Sequence, residues 1–379
     1  MMVLTLFASC AGANLAKFAE ESELPDDLSQ EFKSQFTARE EGRATPSPSP
    51  APTVASVAGF RPVERRGSAV PQANSEVGNL AKPKAGRRNA GKGVAEPSTS
   101  VKRLEPGYPM RRPPVDPIWQ GEKHQFNVEY LGVKVGECNL EVMPPKVISN
   151  RRAYHVKGHG WSTSMFSLVY RINDRMETMF DFNSFVSHKF RLMLDESKQT
   201  RDSQELNDPV KKQTFFWNRM NTPSKGFIEK KVFTEIPPLS QDSLSVLYFL
   251  RTLPLKDGDQ YGFPMVSEGK ILDATAQVIG REDFDSPMGR VRAIKVKPEV
   301  RYHGILKKAG DSFIWMTDDD RRFILRMEAR VKIGTVTVDL NRLEPGSGPI
   351  SEEAPAGFEM PRKAEIGPTS KLAVPEYYR

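Results

Sequence analysis

The chain has 379 residues, 27% of them charged, and a formal net charge of +7. That length holds about two average domains, and with no run of about 20 apolar residues anywhere, a membrane-spanning helix is excluded. The positive excess is spread out, with acids beside most bases, whereas a nucleic-acid binder concentrates it on one helix or stripe. Nucleic acid is therefore not an expected partner.

The opening, MMVLTLFASC, is short and apolar and ends in small residues before Cys10, one of only two cysteines. FASC is similar to a lipobox, where a signal peptide is cut before a cysteine that receives diacylglycerol. The segment is short for a signal peptide and lacks a positive opening, which points to a translation start further upstream. Residues 1–10 are thus expected to be a lipoprotein signal, with Cys10 the lipidated residue and the membrane a partner through that anchor. Ala11, not an acid, follows the cysteine, which suits outer-membrane sorting with the protein facing the periplasm; a soluble periplasmic protein is the alternative.

Residues 11–117 read as a tether. A short helix is expected around DDLSQEFKSQF, but from Pro46 to Pro117 the chain is rich in Pro, Ala, Ser and Gly, with basic clusters at Arg65–Arg66, Arg87–Arg88 and Arg111–Arg112. Such a composition buries too little apolar surface to offset its ordering entropy. As a flexible coil, about 100 residues reach on the order of 50–60 Å.

From Trp119 the pattern changes to short strands separated by turn residues. HQFNVEYLGVKVGECNLEVM holds two runs around Leu131-Gly132, and AYHVKGHG, RINDRMETMF, KFRLMLDES, KQTFFWN, ATAQVIGRE and RVRAIKVKPEV continue. Many short strands with few helices between them argue for an antiparallel sheet that curls or closes. One segment differs. SQDSLSVLYFLRTLP, residues 240–254, is apolar around most of its circumference, with Ser240 placed as N-cap and Pro254 as stop, which predicts a buried helix. The expected fold is mainly β: a curved antiparallel half-barrel or spiral wrapped around one buried helix.

In IWMTDDDRRFILRMEARVKIGTVTVDL the odd positions Phe323, Leu325, Met327, Ala329, Val331 and Ile333 are apolar, and the even ones polar except Ile324. A period of two marks a strand with one face buried. Asp318, Asp319 and Asp320 then form a hairpin turn, not a metal site, because adjacent side chains point apart and the spacing is not that of a calcium loop. The domain is expected to end near Arg342, leaving residues 343–379 as a disordered tail.

No catalytic constellation stands out. His155 and His159 on one strand face lie too far apart to share an ion, and Cys138 reads as a small core residue on a strand. No cofactor and no metal ligand are expected, and the chain is not expected to be an enzyme. Apolar side chains are the better lead. Met165, Phe166, Phe215, Trp217, Leu247, Phe249 and Trp315 are candidates to line an apolar cavity, which would suit an acyl chain because each buried methylene contributes about 0.8 kcal/mol.

Five stretches, GEKHQFNVEYLGVKVGECNLEV (121–142), YRINDRMET (170–178), DSLSVLYFLRTLPL (242–255), VIGREDFDSPMG (278–289) and IWMTDDDRRFILRMEARVKIGTV (314–336), together resemble the bacterial exported family known as domain of unknown function 3108. The resemblance covers 118–342. It implies an envelope location and a curved antiparallel sheet similar in outline to the Lol-type lipoprotein carriers, and it brings no site residues. It brings no activity either, and two functions are expected from the chain's own residues: a concave sheet that holds lipid or lipoprotein acyl chains, or an adaptor whose outer surface meets peptidoglycan or an envelope protein complex.

Overall fold

Amphipathic strands need neighbours to satisfy their backbone groups, and here most neighbours in sequence are neighbours in space. The computed structural model describes Phe18 and residues 24–40, 101–103, 111–302, 305–306, 311–331 and 333–350. Helix α1 (Gln30–Gln35) is followed by two short strands, β1 (Arg39–Glu40) and β2 (Val101–Arg103). The sheet proper starts with β3 (Trp119–Tyr130), β4 (Val133–Ile148) and β5 (Arg151–Ser162), then a single helical turn, α2 (Ser164–Ser167). It continues through β6 (Asn173–Asp181), β7 (Ser187–Asp195), β8 (Thr200–Asp208), β9 (Gln213–Thr222) and β10 (Gly226–Glu235). After helix α3 (Ser245–Arg251) come β11 (Gln260–Ser267), β12 (Lys270–Ser286), β13 (Gly289–Tyr302), β14 (Ile305–Leu306), β15 (Ser312–Thr317), β16 (Ile324–Arg330) and β17 (Thr335–Pro349).

Strands β3 to β10 pair each with the next, all antiparallel. The second series pairs β11 to β12, β12 to β13, β13 to β15, β15 to β16 and β16 to β17. Strand β17 then lies against β3 and welds the two series into one sheet. Short β1 extends the edge of β4, β14 lies on the end of β13, and β2 joins β11 in parallel. At the β3–β4 turn, Leu131 (φ 52°) and Gly132 (φ 76°) both adopt left-handed backbone, the geometry that matches strand twist in a two-residue hairpin.

The sheet curls because one face of nearly every long strand is apolar. Phe126, Val156, Phe180, Leu192, Phe263, Val278, Ile294, Met316, Leu325 and Leu340, spread over ten strands, join one core. Tyr248, Phe249 and Leu250 of α3 sit inside it. Past β10, a strap of chain reaches β11. The Gln241 N–H donates to Pro264 O (3.0 Å), and the Val266 N–H donates to Gln241 O (2.9 Å). A curved, mainly antiparallel sheet around a buried helix is thus observed.

Three boundaries and one strand face differ from expectation. The helix is shorter than residues 240–254. The Ser240 hydroxyl donates to Pro237 O, and it is Asp242 that accepts from the N–H groups of Leu244 and Ser245, each at 2.8 Å. The short helix expected within DDLSQEFKSQF is α1, but the tether that holds it is not wholly free, since α1 packs on the sheet and Asp116 is buried. The domain also runs past Arg342. Strand β17 pairs with β3 to Pro349 through two bulges, and Gly346 (φ 85°) is needed there because an added Cβ would lie 2.8 Å from Gln120 O. Finally, Ile324 is as buried as Leu325, because a register shift opposite it at Trp315/Met316 breaks the period of two.

Candidate functional site

The interior is the first candidate, and the seven residues expected to line a cavity do not converge on it. Phe249 and Trp315 are buried in the main core, and Leu247 packs against it. Phe215 and Trp217 face the other side of the sheet, in a second cluster with Phe36, Leu206 and Met179. There Phe32 and Phe36 of the α1 segment cover them, Phe32 meeting Phe215 edge-on at 5.8 Å. Met165 and Phe166 lie on α2, where Met165 is 84% exposed and Phe166 half-buried. Strand parity explains the split, since Phe215 and Trp217 are two apart and share a face with each other, not with Phe216. Cys10 lies outside the described residues.

Around α3 the interior is filled by rings. Tyr248 lies 6.0 Å from Phe180, and Phe249 meets Phe263 edge-on at 5.4 Å. Tyr154 stacks on Phe180, Phe182 and Phe185 at 5.1, 4.8 and 5.6 Å, and its hydroxyl donates to Asp116 (2.7 Å). Such ring pairs are favourable beyond the area they bury.

Beside α3 the interior holds an ionic knot. Arg251 at the helix end donates to both oxygens of Glu122 (2.6 and 2.8 Å), and to Pro117 O and Arg321 O. Arg321, from the Asp hairpin, donates to Glu122 Oε2 (2.8 Å) and to Pro345 O (2.7 Å). Burial alone would raise the Glu122 pKa, but the charge of Arg251 and the hydrogen bonds from both arginines outweigh it and hold the carboxylate below its usual range. His124, fully buried nearby, is pushed down to about 4 by burial, against the pull of Glu122. The ring is therefore neutral, and its Nε2 accepts from the Ile324 N–H (3.3 Å).

The Asp run belongs to this knot. Asp319 Oδ1 accepts from the N–H groups of Arg321 (2.9 Å) and Arg322 (2.7 Å), while Asp318 is held by Arg281. The turn thus aims its two arginines back at the helix, where Arg322 donates to Arg251 O and Leu253 O. Among the described residues no group of three or more His, Cys, Asp or Glu side chains is placed to hold a metal. Burial pushes the Cys138 thiol up to about 12, far from a reactive thiolate.

Two carboxyl sites were not foreseen in the sequence, because their members come from separate strands. Glu205 is pushed up to about 8 by burial, opposed by the Gly269 N–H it accepts from (2.7 Å). Asp174 on β6 is also raised to about 8, by burial first and then by the adjoining Glu196. Glu196 accepts from the Tyr170 hydroxyl (2.7 Å) and from Gln199 Nε2 (2.8 Å). Two buried carboxyls side by side keep a proton between them. Nearby, a cleft of about 220 Å³ is lined by Phe18, Asn173, Arg175, Met193, Asp195 and Thr200, among others. That volume falls below the roughly 300 Å³ where small-molecule sites begin.

The crystal structure of a β-barrel-like protein of domain of unknown function DUF1849 from Brucella abortus is similar over 59% of this chain and 96% of that one, with 9% identity and a TM-score of 0.39. A candidate exported protein with a YmcC-like fold from Bacteroides fragilis is similar over 61% and 98%, with 9% identity and a TM-score of 0.28. A candidate lipoprotein from Parabacteroides distasonis is similar over 62% and 98%, with 9% identity and a TM-score of 0.27. No protein with a curated description matches the sequence. The family model described as "Protein of unknown function (DUF3108)" matches residues 125–341, more than half of the chain and nearly all of the sheet, and the protein belongs to that family.

Proposed function

We propose that this protein is a non-catalytic binding domain of the cell envelope, tethered through Cys10, and that it works through its outer surface as an adaptor, not by enclosing an acyl chain. The packing around α3 carries this reading. Arg251, Tyr248 and Phe249 are at most 2% exposed, and the Arg251 guanidinium is saturated by Glu122 and two backbone carbonyls. An acyl chain in this space would displace an ion pair as well as rings, and an ion stripped of its partner in the interior costs several kcal/mol. The buried carboxyls fit the same reading, because each is held by hydrogen bonds from its own surroundings.

Native mass spectrometry of the full chain, made without acylation and purified without detergent, tests it. The expected result is the bare protein mass. A reproducible adduct with the mass of a phospholipid or acyl species would replace the adaptor reading with that of a lipid or lipoprotein carrier.

A further inference from the structure

The turns at one end of the strands carry an apolar set that the core does not use. Each strand of the β3–β10 meander reverses the last, so the turns after β3, β5, β7 and β9 share one end. The β11–β12 and β16–β17 turns share it too, by the antiparallel pairings that lead to β17 and β3. On this end Leu131 and Val133 are 60% and 63% exposed, Met165, Leu168 and Val169 are 84%, 88% and 59%, and Ile333 is 72%. They make up six of the twelve exposed large hydrophobic residues among those described.

The turns that carry them adjoin one another. The Tyr130 hydroxyl donates to Ile333 O (2.8 Å), and a Cβ on Gly334 would lie 2.2 Å from the Leu131 side chain. The Thr163 N–H donates to Val135 O (2.9 Å), which sets α2 against the start of β4.

The turns at this end carry unpaired cations. Lys198, Lys225 and Arg330 have no ion-pair partner among the described residues. Four carboxylates there are engaged: Asp195 by Arg171, Glu137 by Lys134, Glu268 by Arg201 and Asp311 by Lys297. Glu129, Glu328 and Asp273 also lack such a partner, but they lie within β3, β16 and β12, while Lys198 and Lys225 lie in the turns themselves. The opposite end bears the Asp318–Asp320 run. Protein-binding patches centre on Trp, Tyr and Arg in pockets. This set is aliphatic, sits on separate turns and has unpaired cations on the same end, which is the chemistry of an interfacial lipid contact.

We infer that this end of the domain docks on an anionic phospholipid surface, with Leu131, Val133, Met165, Leu168, Val169 and Ile333 entering the headgroup layer and Lys198, Lys225 and Arg330 meeting lipid phosphates. The inference rests on the surface-acting reading above and names its partner.

Vesicle flotation tests it with the full chain carrying Cys10→Ser, so that no acyl anchor contributes. The chain is expected to float with phosphatidylglycerol-containing vesicles and much less with phosphatidylcholine vesicles. The double substitution Leu168→Asp and Val169→Asp should lower binding by about tenfold or more. These side chains are exposed, so an unchanged thermal midpoint should accompany the loss, and Lys198→Glu should weaken binding and its salt dependence.

Binding that survives the double substitution would come from elsewhere in the chain and overturn the proposal, as would no binding at all. Self-association lost in the double variant, without vesicle binding, would assign the patch to a second copy instead. An acyl adduct in native mass spectrometry would sink the surface reading alone, because flotation is scored on protein without a bound adduct.

Discussion

Arg251 reads in the sequence as the polar end of an apolar helix, yet it is 1% exposed. Its partner Glu122 lies 129 positions away and is fully buried. Removing one member of a buried pair strands the other charge, and Arg251→Met is expected to cost about 3–5 kcal/mol, read as a lower urea midpoint. A midpoint shift of a few tenths of a kcal/mol would mean that Arg321 alone can hold Glu122.

The Asp174 carboxyl makes a different prediction. Its folded pKa is raised to about 8 from an ordinary 3.8, by burial and by Glu196. The folded state therefore holds a proton that the unfolded chain has released. Its contribution to stability is full below the unfolded value and is lost as pH rises through about 8. Asp174→Asn should flatten that decline between about pH 4 and pH 8 in thermal melts, and an unchanged profile would assign the decline to other groups. The sequence held no sign of this pair, because Asp174 and Glu196 look like ordinary strand-end acids until β6 and the β7–β8 turn bring them together.

At the scale of elements, α1 is six residues long and too short to hold itself together without packing. Ser29 caps it by accepting from the Phe32 N–H, and Phe32 and Phe36 then cover Phe215 on the outer face of the sheet. Phe36→Ala should cost about 3–5 kcal/mol and shift Trp217 emission to the red as water reaches the cluster. An unshifted emission would show that the segment does not seal this face. Phe215 and Trp217 read in the sequence as cavity wall, and Phe216 between them faces the other way. The burial of Phe215 and Trp217 comes from a helix nearly 180 residues earlier, and no local pattern announces such a cover.

For the whole molecule, the proposed anchor at Cys10 has a direct test. Cys10→Ala is expected to release the protein from the membrane pellet into a soluble periplasmic fraction. Continued pelleting after a salt wash would remove the lipoprotein reading. A salt-sensitive residue of pelleting would instead match docking through the turn end, since contacts with charged headgroups are screened.

What the sequence determined by itself was local. Period-two patterning set the strands, left-handed positions such as Leu131-Gly132 set the turns, and the all-round apolar segment marked α3 for burial. Short connections between adjacent segments made an antiparallel meander the natural pairing. The tertiary structure decided everything that needs two distant segments at once: the weld of β17 to β3, the covering of Phe215 and Trp217 by α1, the Glu122–Arg251–Arg321 knot, and the gathering of six exposed aliphatic residues on one end. The reason is physical. Backbone periodicity is a property of one segment, whereas burial, charge pairing and surface patches depend on which face of which strand meets which neighbour. A single register shift, as at Trp315/Met316, is enough to change that.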